Sequence, residues 1–183
     1  MNLNNFTIKS QEAVQQAQQI ATGMQQQSIE TGHLLKGILE VDENVTPFIL
    51  QKLGVNLNMF KQALDKIVES YPKVSGGNQY LSPNANKALQ KASSLLKDFK
   101  DEYVSIEHLL LALLNTGDTI SQLLKDNGVK EKAMKAAINE LRKGENVTSQ
   151  SAEEQYNALK KYAKNLNELA ESNKLDPVIG RDE

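Results

Sequence analysis

The two histidines of the chain, His33 and His108, are the first candidates for chemistry, because imidazole can bind a metal or carry a proton near neutral pH. The chain contains no cysteine, which excludes disulfides, thiol nucleophiles and thiolate metal sites. A metal site would need other ligands to converge on the histidines, and the sequence places none beside them. Both histidines lie at the start of a predicted helix. We therefore predict a repeated structural polar contact at each histidine, and no metal site.

Acidic side chains occur in adjacent pairs, which is a pattern that general acid–base catalysis can use. The pairs are Asp42-Glu43, Asp101-Glu102 and Glu153-Glu154. Each pair falls in a predicted loop or at a helix end, where solvated charge is the usual state. The sequence also contains no Gly-x-Ser-x-Gly or His-Glu-x-x-His motif. We predict no catalytic residues and no intrinsic enzymatic activity.

The charge balance and the apolar runs exclude two classes of partner. Among the 183 residues, 21 are Lys or Arg and 23 are Asp or Glu, for a formal net charge of -2, so the basic stripe of a nucleic-acid protein is missing. The longest apolar run, Leu109 to Leu114, is far shorter than the ~20 residues that span a membrane. The first five residues do not resemble a signal peptide. We therefore expect a soluble, cytoplasmic protein with no nucleic-acid or membrane partner.

The elements that would position these side chains are helices, because apolar residues recur every three or four positions and no stretch alternates with period two. Start signals separate eight such segments. The first four begin near Thr7, Gly32, Thr46-Pro47 (predicted as a cap followed by a first-turn proline) and Asn56, and the last four begin near Ser82-Pro83, Ser105, Asp118 and the segment that runs to Arg142.

The second set of helices repeats the first. A shift of 75 positions places Ala13 on Ala88 and His33-Leu34-Leu35 on His108-Leu109-Leu110, and a shift of 74 places Gly54-Val55 on Gly128-Val129. Self-similarity at a fixed offset indicates a repeated structural unit. We predict an all-α fold in which two pseudo-symmetric four-helix repeats, at about 6–71 and 81–144, share one core with a groove at their seam.

The carboxyl-terminal part of the chain differs in composition. Residues 145–153 are polar with a single valine, which predicts a flexible linker. Residues 154–174 regain helical spacing, and the last nine residues are Leu175-Asp176-Pro177-Val178-Ile179-Gly180-Arg181-Asp182-Glu183. That closing segment is typical of the beginning of a longer domain.

The doubled helical unit, the run Tyr156-Asn157-Ala158-Leu159-Lys160-Lys161-Tyr162 and the closing segment together resemble the amino-terminal end of Clp-type AAA+ ATPases. Within that family the chain is most similar to the ClpB-type disaggregases. The resemblance implies a compact Clp N-terminal-type domain at 1–144, a linker at 145–153 and the truncated start of the first ATPase domain at 154–183.

The resemblance also implies a function and partners. In the whole protein, this domain would receive unfolded or aggregated polypeptide and pass it to a homohexameric, ATP-driven ring that works with the DnaK chaperone system in the stress response. ATP and magnesium would serve that ring, and Val178, Ile179, Gly180 and Arg181 would line its adenine pocket. The 183 residues contain no Gly-x-x-x-x-Gly-Lys-[Ser/Thr] motif to hold phosphates, so we expect no cofactor and no ATP turnover in this chain, which should be monomeric.

A client-binding groove is the site that the resemblance implies, lined from the first helix of each repeat and the loop before Ser105. Its candidate residues are Thr7, Leu89, Leu95, Asp101, Tyr103 and Glu107. Five of the six have an ordinary structural alternative: a helix cap for Thr7, surface charge for the two acids, and core packing for the two leucines. Two other functions stay open, which are adaptor docking, as in the ClpA and ClpC relatives, and a purely structural scaffold.

Overall fold

The computed structural model of the chain describes residues 2–74 and 76–156. Within these ranges the chain forms two sets of four helices, as the sequence predicts. The first set is α1 (Ile8–Gly23), α2 (Thr31–Val41), α3 (Val45–Lys52) and α4 (Leu57–Glu69), and the second is α5 (Pro83–Phe99), α6 (Ile106–Leu114), α7 (Thr119–Asp126) and α8 (Glu131–Arg142). Two strands of two residues each, β1 (Ser28–Ile29) and β2 (Tyr80–Leu81), precede α2 and α5.

The first helix of each repeat begins in the same way. Thr7 and Ser82 are the N-caps of α1 and α5, with nearly identical backbone angles, φ -63° and ψ 160° against φ -64° and ψ 159°. Each hydroxyl accepts a hydrogen bond from the amide three residues on, at 3.1 Å from Ser10 and 3.0 Å from Ala85. Such caps satisfy an amide that the helix itself leaves unpaired. The predicted starts of both helices are confirmed.

The start of α3 differs from the prediction. Thr46 lies inside the helix, which begins at Val45, so its prediction as the cap is wrong. The capping group is the Asp42 carboxylate, which accepts hydrogen bonds from the amides of Asn44, Val45 and Thr46 at 3.1, 3.0 and 2.6 Å. Asp42 is consequently buried and not solvated.

The two repeats pack through reciprocal helix pairs. Helix α1 contacts α6 and α2 contacts α5, while α3 contacts α8 and α4 contacts α7. Because α5 to α8 correspond to α1 to α4, exchanging the two repeats converts the α1–α6 contact into the α2–α5 contact, and the α3–α8 contact into the α4–α7 contact. The predicted pseudo-two-fold arrangement follows from this reciprocity, and buried residues of both repeats form a single hydrophobic core.

Short parallel pairings join the repeats at the seam. Ile29 pairs with Leu81 in the β1–β2 ladder, and Val104 pairs with Phe6 in an isolated bridge. A shift of 75 residues converts one pairing into the other, so the two are symmetry mates. Elements of two residues are too short to show strand periodicity, and this is why the sequence predicted helices alone.

Helix α2 packs tightly against the backbone of α1 at Gly37. A methyl group on Gly37 would lie 2.5 Å from the Ala13 carbonyl oxygen and 3.0 Å from the Ala17 nitrogen. The missing side chain therefore sets the spacing of the two helices. None of the helices in residues 2–74 and 76–156 combines the length and the apolar character needed to cross a membrane.

The segment after α8 packs against the domain, in contrast to the flexible linker that its polarity predicted. Val147, Ala152 and Glu153 are buried, and residues 152–156 are helical. Val147, Ala152 and Tyr156 form a second apolar cluster with the partly buried Tyr103 and Leu141. A polar segment became ordered because a few apolar side chains and backbone groups found partners on the second repeat. The predicted start of an ATPase domain lies, apart from residues 154–156, outside the described residues, as do Val178, Ile179, Gly180 and Arg181.

Candidate functional site

An open groove of about 520 Å³ runs along the seam of the two repeats. Its apolar wall combines Leu3 and Phe6 from the amino-terminal segment with Leu81 and Leu89 from the second repeat. The remaining lining is polar and carries no charge; it consists of Asn2, Asn86, Gln90 and Ser93. Phe6 and Leu81 occupy equivalent places just before α1 and α5, and the seam pairings join them to Val104 and Ile29 of the opposite repeat.

The six predicted binding residues do not form this groove together. Leu89 lines the floor of the groove and is itself buried, while Leu95 is half-buried against the hydrophobic core. Thr7, Asp101 and Glu107 are buried. Tyr103 is half-buried against the Val147 cluster. The structure therefore differs from the single open groove of the prediction. Asp101 and Glu107 belong to a buried polar cluster, and Thr7 and Tyr103 lie beside it.

That buried polar cluster is centred on Asp101. The Asp101 Oδ2 atom accepts a hydrogen bond from His108 Nε2 at 2.7 Å and lies 2.9 Å from Arg142 Nη1. The Asp101 Oδ1 atom accepts a hydrogen bond from the Val147 amide at 2.9 Å. Burial by itself would raise the pKa of Asp101, but the hydrogen bonds from His108 and Val147 and the charge of Arg142 lower it below its ordinary value. The carboxylate is therefore ionised at neutral pH.

Arg142 joins the two acids of the cluster. Its Nε donates a hydrogen bond to Glu107 Oε2 at 3.0 Å, and its guanidinium lies 5.4 Å from the centroid of the Phe99 ring. The side chains of Arg142, Asp101 and Glu107 are at most 5% exposed. Removing one partner from such a buried group would leave an uncompensated charge, which makes the cluster important for stability.

Glu153 reaches the cluster from the segment after α8. Its Oε2 accepts hydrogen bonds from the Thr7 hydroxyl at 2.7 Å and from the Ile106 amide at 3.0 Å, so it lies between the amino-terminal ends of α1 and α6. Burial, followed by the nearby Glu107 carboxylate, raises the pKa of Glu153 from 4.5 to about 8. The folded domain therefore favours the protonated form of Glu153.

The first repeat holds the uncharged counterpart of this cluster. His33 Nδ1 accepts a hydrogen bond from the Glu30 amide at 2.9 Å, as His108 Nδ1 does from the Ser105 amide at 2.8 Å. The second ring nitrogen of His33 therefore carries the proton and donates to Gln26 Oε1, 2.6 Å away. Burial, followed by the charge of Lys36, lowers the pKa of His33 from 6.5 to about 4. Both histidines make the repeated polar contact that the sequence predicted.

The paired acids follow one pattern in the structure. Asp42, Asp101 and Glu153, the first member of each pair, are buried, while Glu43, Glu102 and Glu154 are exposed. Each buried acid accepts at least one backbone amide hydrogen bond. The prediction of solvated charge is wrong for the first members and confirmed for the second.

Arg142 and Glu153 are the members of the cluster that the sequence did not suggest. The repeat offset offered a signal for Arg142, because a shift of 74 places it on the apolar Val68. A charge at the position of a core valine indicates a buried partner of opposite charge. Glu153 lies beyond the repeat and gave no such signal.

The described residues do not suit the ATP and magnesium of the family. No group of three or more metal-ligating side chains occurs in residues 2–74 and 76–156. In the cluster around Asp101, the single cation, Arg142, is already paired with two acids. The lowered pKa of Asp101 reflects contacts that its carboxylate makes within the chain. A polyphosphate would find no free cation there.

Comparison with known proteins identifies the family. Residues 5–127 match the family described as the Clp repeat (R) N-terminal domain. The chain belongs to this family. Over all 183 residues, this Clp N-terminal domain chain is 59% identical to the chaperone protein ClpB of Bacteroides thetaiotaomicron and 54% identical to that of Porphyromonas gingivalis. The chain spans about a fifth, 21%, of the length of these relatives.

Solved structures show the same Clp N-terminal fold. The Hsp104 N-terminal domain of Candida albicans matches with a TM-score of 0.72 at 21% identity, over 81% of this chain and 99% of that one. The ClpV N-domain in complex with a VipB peptide matches with a TM-score of 0.63 at 18% identity, over 76% of this chain and 90% of that one. At these identities the likeness concerns the fold.

Proposed function

We propose that this chain is the client-engaging amino-terminal part of a ClpB-type disaggregase. It binds unfolded or aggregated polypeptide and helps to deliver it to an ATP-driven hexameric ring that cooperates with the DnaK system in the cytoplasm. The high identity to ClpB chaperones over the full 183 residues supports the assignment of the parent protein. The uncharged seam groove is the observation that carries the client-binding role.

The groove suits an extended, apolar segment of polypeptide. Unfolded chains differ from folded ones chiefly in the apolar side chains that they expose. The partly exposed Leu3 and Leu81 offer a surface for such side chains, with the buried Phe6 and Leu89 beneath them. The polar rim of Asn2, Asn86 and Gln90 can donate to and accept from a client backbone without selecting for charge. An open groove without a charged anchor favours weak binding, which a domain that passes its client onward requires.

The experiment is an NMR titration of the chain with a permanently unfolded polypeptide such as reduced casein. We expect chemical-shift changes that map to the amides around Leu3, Leu81 and Leu89. The variant Leu3→Asn should weaken binding about tenfold, since it removes one apolar wall from a partly exposed position. The matched control is Met59→Asn, because Met59 is 66% exposed on α4 and does not line the groove. Equal affinity for both variants, or shifts that map elsewhere, would contradict the groove as the client site.

The predicted roles of Thr7, Asp101, Tyr103 and Glu107 in client binding stay proposals. Thr7, Asp101 and Glu107 are buried and Tyr103 is half-buried, so the segment after α8 would have to move before a client reaches all four. Leu95 would need a smaller change, because it is already half exposed.

Docking of a defined peptide is the second candidate function. It is favoured by the complex of the similarly folded ClpV N-domain with a VipB peptide. For this chain, the corresponding partner would be an adaptor, as in the ClpA and ClpC type of unfoldase. Titration with several unrelated unfolded polypeptides separates the two: comparable affinities support a client site, and binding of one sequence only supports an adaptor site.

The chain by itself should neither bind nor hydrolyse ATP, because the phosphate-binding motif is absent from its sequence. A malachite-green assay of the purified chain should show no phosphate release above buffer. We expect the chain to sediment as a monomer in analytical ultracentrifugation.

A further inference from the structure

Residues 147–156, here called the strap, close over the cleft between α1 and α6. Four hydrogen bonds anchor its two halves: the Val147 amide to Asp101, the Glu102 amide to the Val147 carbonyl, the Ile8 amide to the Gln150 carbonyl, and the Ile106 amide to Glu153. Their lengths are 2.9, 2.8, 2.8 and 3.0 Å. The Thr7 hydroxyl also donates to Glu153, and the Gln150 side-chain amide donates to the Asn4 carbonyl at 3.2 Å and to the Phe6 carbonyl at 3.5 Å. The strap thus contacts the second repeat and the start of α1 simultaneously.

The docked strap leaves polar atoms buried without hydrogen-bond partners. They are Glu107 Oε1, Arg142 Nη2, Glu153 Oε1 and Tyr156 Oη. Buried polar atoms without partners destabilise the state that buries them, and water would solvate all four if the strap moved away. The apolar area that opposes release is small, because only Val147, Ala152 and Tyr156 form its cluster.

We propose that the strap is a releasable latch: when docked it seals Thr7, Asp101 and Glu107 inside the domain, and when released it exposes them while the two repeats stay folded. The hydrophobic core of the repeats contains no buried residue of the strap, and the half-buried Leu141 is the residue that packs against both clusters. Release also frees ten residues of chain, from 147 to 156, which span at most about 35 Å when extended. The proposal stands independently of client binding at the seam groove.

Charge makes the latch sensitive to pH. The groups around the Glu153 carboxyl are the Thr7 hydroxyl of α1, Glu107 and His108 of α6, Asp101, Arg142 of α8 and Tyr156 of the strap itself. Arg142 is already paired with two acids, so an ionised Glu153 would add a second uncompensated negative charge. Docking therefore favours the protonated acid, and ionisation favours release.

The direction of the pH effect follows from the two states of Glu153. The docked pKa of about 8 exceeds the ordinary 4.5, so docking is strongest below pH 4.5 and weakens as the pH rises through 8. Asp101 stays ionised in this range because its pKa is lowered, and burial followed by the charge of Glu107 raises the pKa of Tyr156. These two groups therefore contribute little to a change between pH 7 and 9.

Thiol labelling tests the latch directly, because the chain has no cysteine of its own. The variant Val147→Cys places one thiol in the strap itself, on a side chain that docking buries, and the matched control Val129→Cys places one in the core of the repeats; both valines are fully buried. With each rate divided by that of the same variant unfolded in urea, we expect Val147→Cys to react at least tenfold faster than Val129→Cys at pH 7. Its relative rate should rise roughly tenfold from pH 7 to 9.

The substitution Glu153→Gln completes the test, since the amide cannot ionise but can still accept the Ile106 hydrogen bond. In this background the rise between pH 7 and 9 should disappear. Equal rates for the two cysteines would overturn the latch, because the strap would then open only when the domain unfolds. A rise that persists in Glu153→Gln would overturn the role of Glu153.

The cysteine substitution could itself loosen the strap, so hydrogen exchange of the unsubstituted chain serves as a control. The Ile8 and Ile106 amides bond to the strap, whereas the Ser82 amide bonds to Ile29 at 2.9 Å within the seam. After correction for intrinsic rates, Ile8 and Ile106 should lose protection at higher pH while Ser82 keeps it. Equal protection of all three amides at every pH would contradict the latch.

Discussion

Gln26 and Asp101 occupy the same place in the two repeats, 75 residues apart, and each accepts a hydrogen bond from the Nε2 of the histidine seven residues later. The amide in the first repeat uses its nitrogen to donate to the Val68 carbonyl at 2.7 Å. The carboxylate in the second repeat instead pairs with Arg142, which occupies the position equivalent to Val68. The same place is therefore a neutral contact in the first repeat and an ion pair in the second.

Substitution of Asp101 should show how much the domain depends on this ion pair. We expect Asp101→Asn to lower the free energy of unfolding by about 3 kcal/mol, because Arg142 loses a buried partner. Asp65→Asn is the matched control, since Asp65 pairs with Lys36 at a half-exposed site and should cost less than about 1 kcal/mol. Urea denaturation measures both. Similar values for the two variants would show that the buried pair has no special role.

The N-caps of α1 and α5 allow the bond to Glu153 to be measured against a symmetric reference. Ser82→Ala removes a helix cap and should cost about 1 kcal/mol. Thr7→Ala removes an equivalent cap together with the hydrogen bond to Glu153, so we expect an additional loss of about 1 kcal/mol. Thermal and urea unfolding of the two variants give the difference. If the costs are equal, the contact with Glu153 does not stabilise the domain.

His33 should make the domain sensitive to acid. Its folded pKa of about 4 lies below the ordinary 6.5, so the unfolded chain binds a proton first as the pH falls. The stabilisation is complete above pH 6.5 and is lost between 6.5 and 4, at up to about 1.4 kcal/mol per pH unit. An NMR titration of the His33 ring should have its midpoint near pH 4. A midpoint near 6.5 would refute this account.

Gly37 and Gly23 form a matched pair for testing the spacing of α1 and α2. Gly37→Ala places a methyl group against the backbone of Ala13 and Ala17 and should cost about 2 kcal/mol or more. Gly23→Ala meets nothing within 4 Å and should leave stability unchanged or raise it by up to about 1 kcal/mol. Denaturant unfolding compares the two. A neutral Gly37→Ala variant would mean that the helices can separate without loss.

Local sequence signals were reliable where a single residue type performs a local task. The helix starts at Thr7, Asn56, Ser82 and Asp118 were predictable from the sequence. In each, the side-chain oxygen accepts a hydrogen bond from the amide three residues later, so the contact depends only on neighbouring residues. Asp42 was not predicted as a cap, since it acts from three residues before the helix that it caps.

The candidate sites were less predictable, because they depend on contacts between distant parts of the chain. Thr7 and Glu153 are 146 positions apart and 2.7 Å apart in space. The polarity of residues 145–153 predicted a linker, yet backbone amides and one glutamate found partners on the repeats. Polarity describes the affinity of a segment for water and does not reveal an acceptor that another helix presents.

The amino-acid sequence alone determined the all-helical class, the duplication and the equivalence of His33 with His108, because periodicity and a fixed offset are properties of the order of residues. Only the tertiary structure decided that Asp101, Glu107 and Arg142 share one buried site and that Glu153 closes it. The burial of a charge depends on which side chains fold around it, and desolvation and pairing act through space, independently of position along the chain.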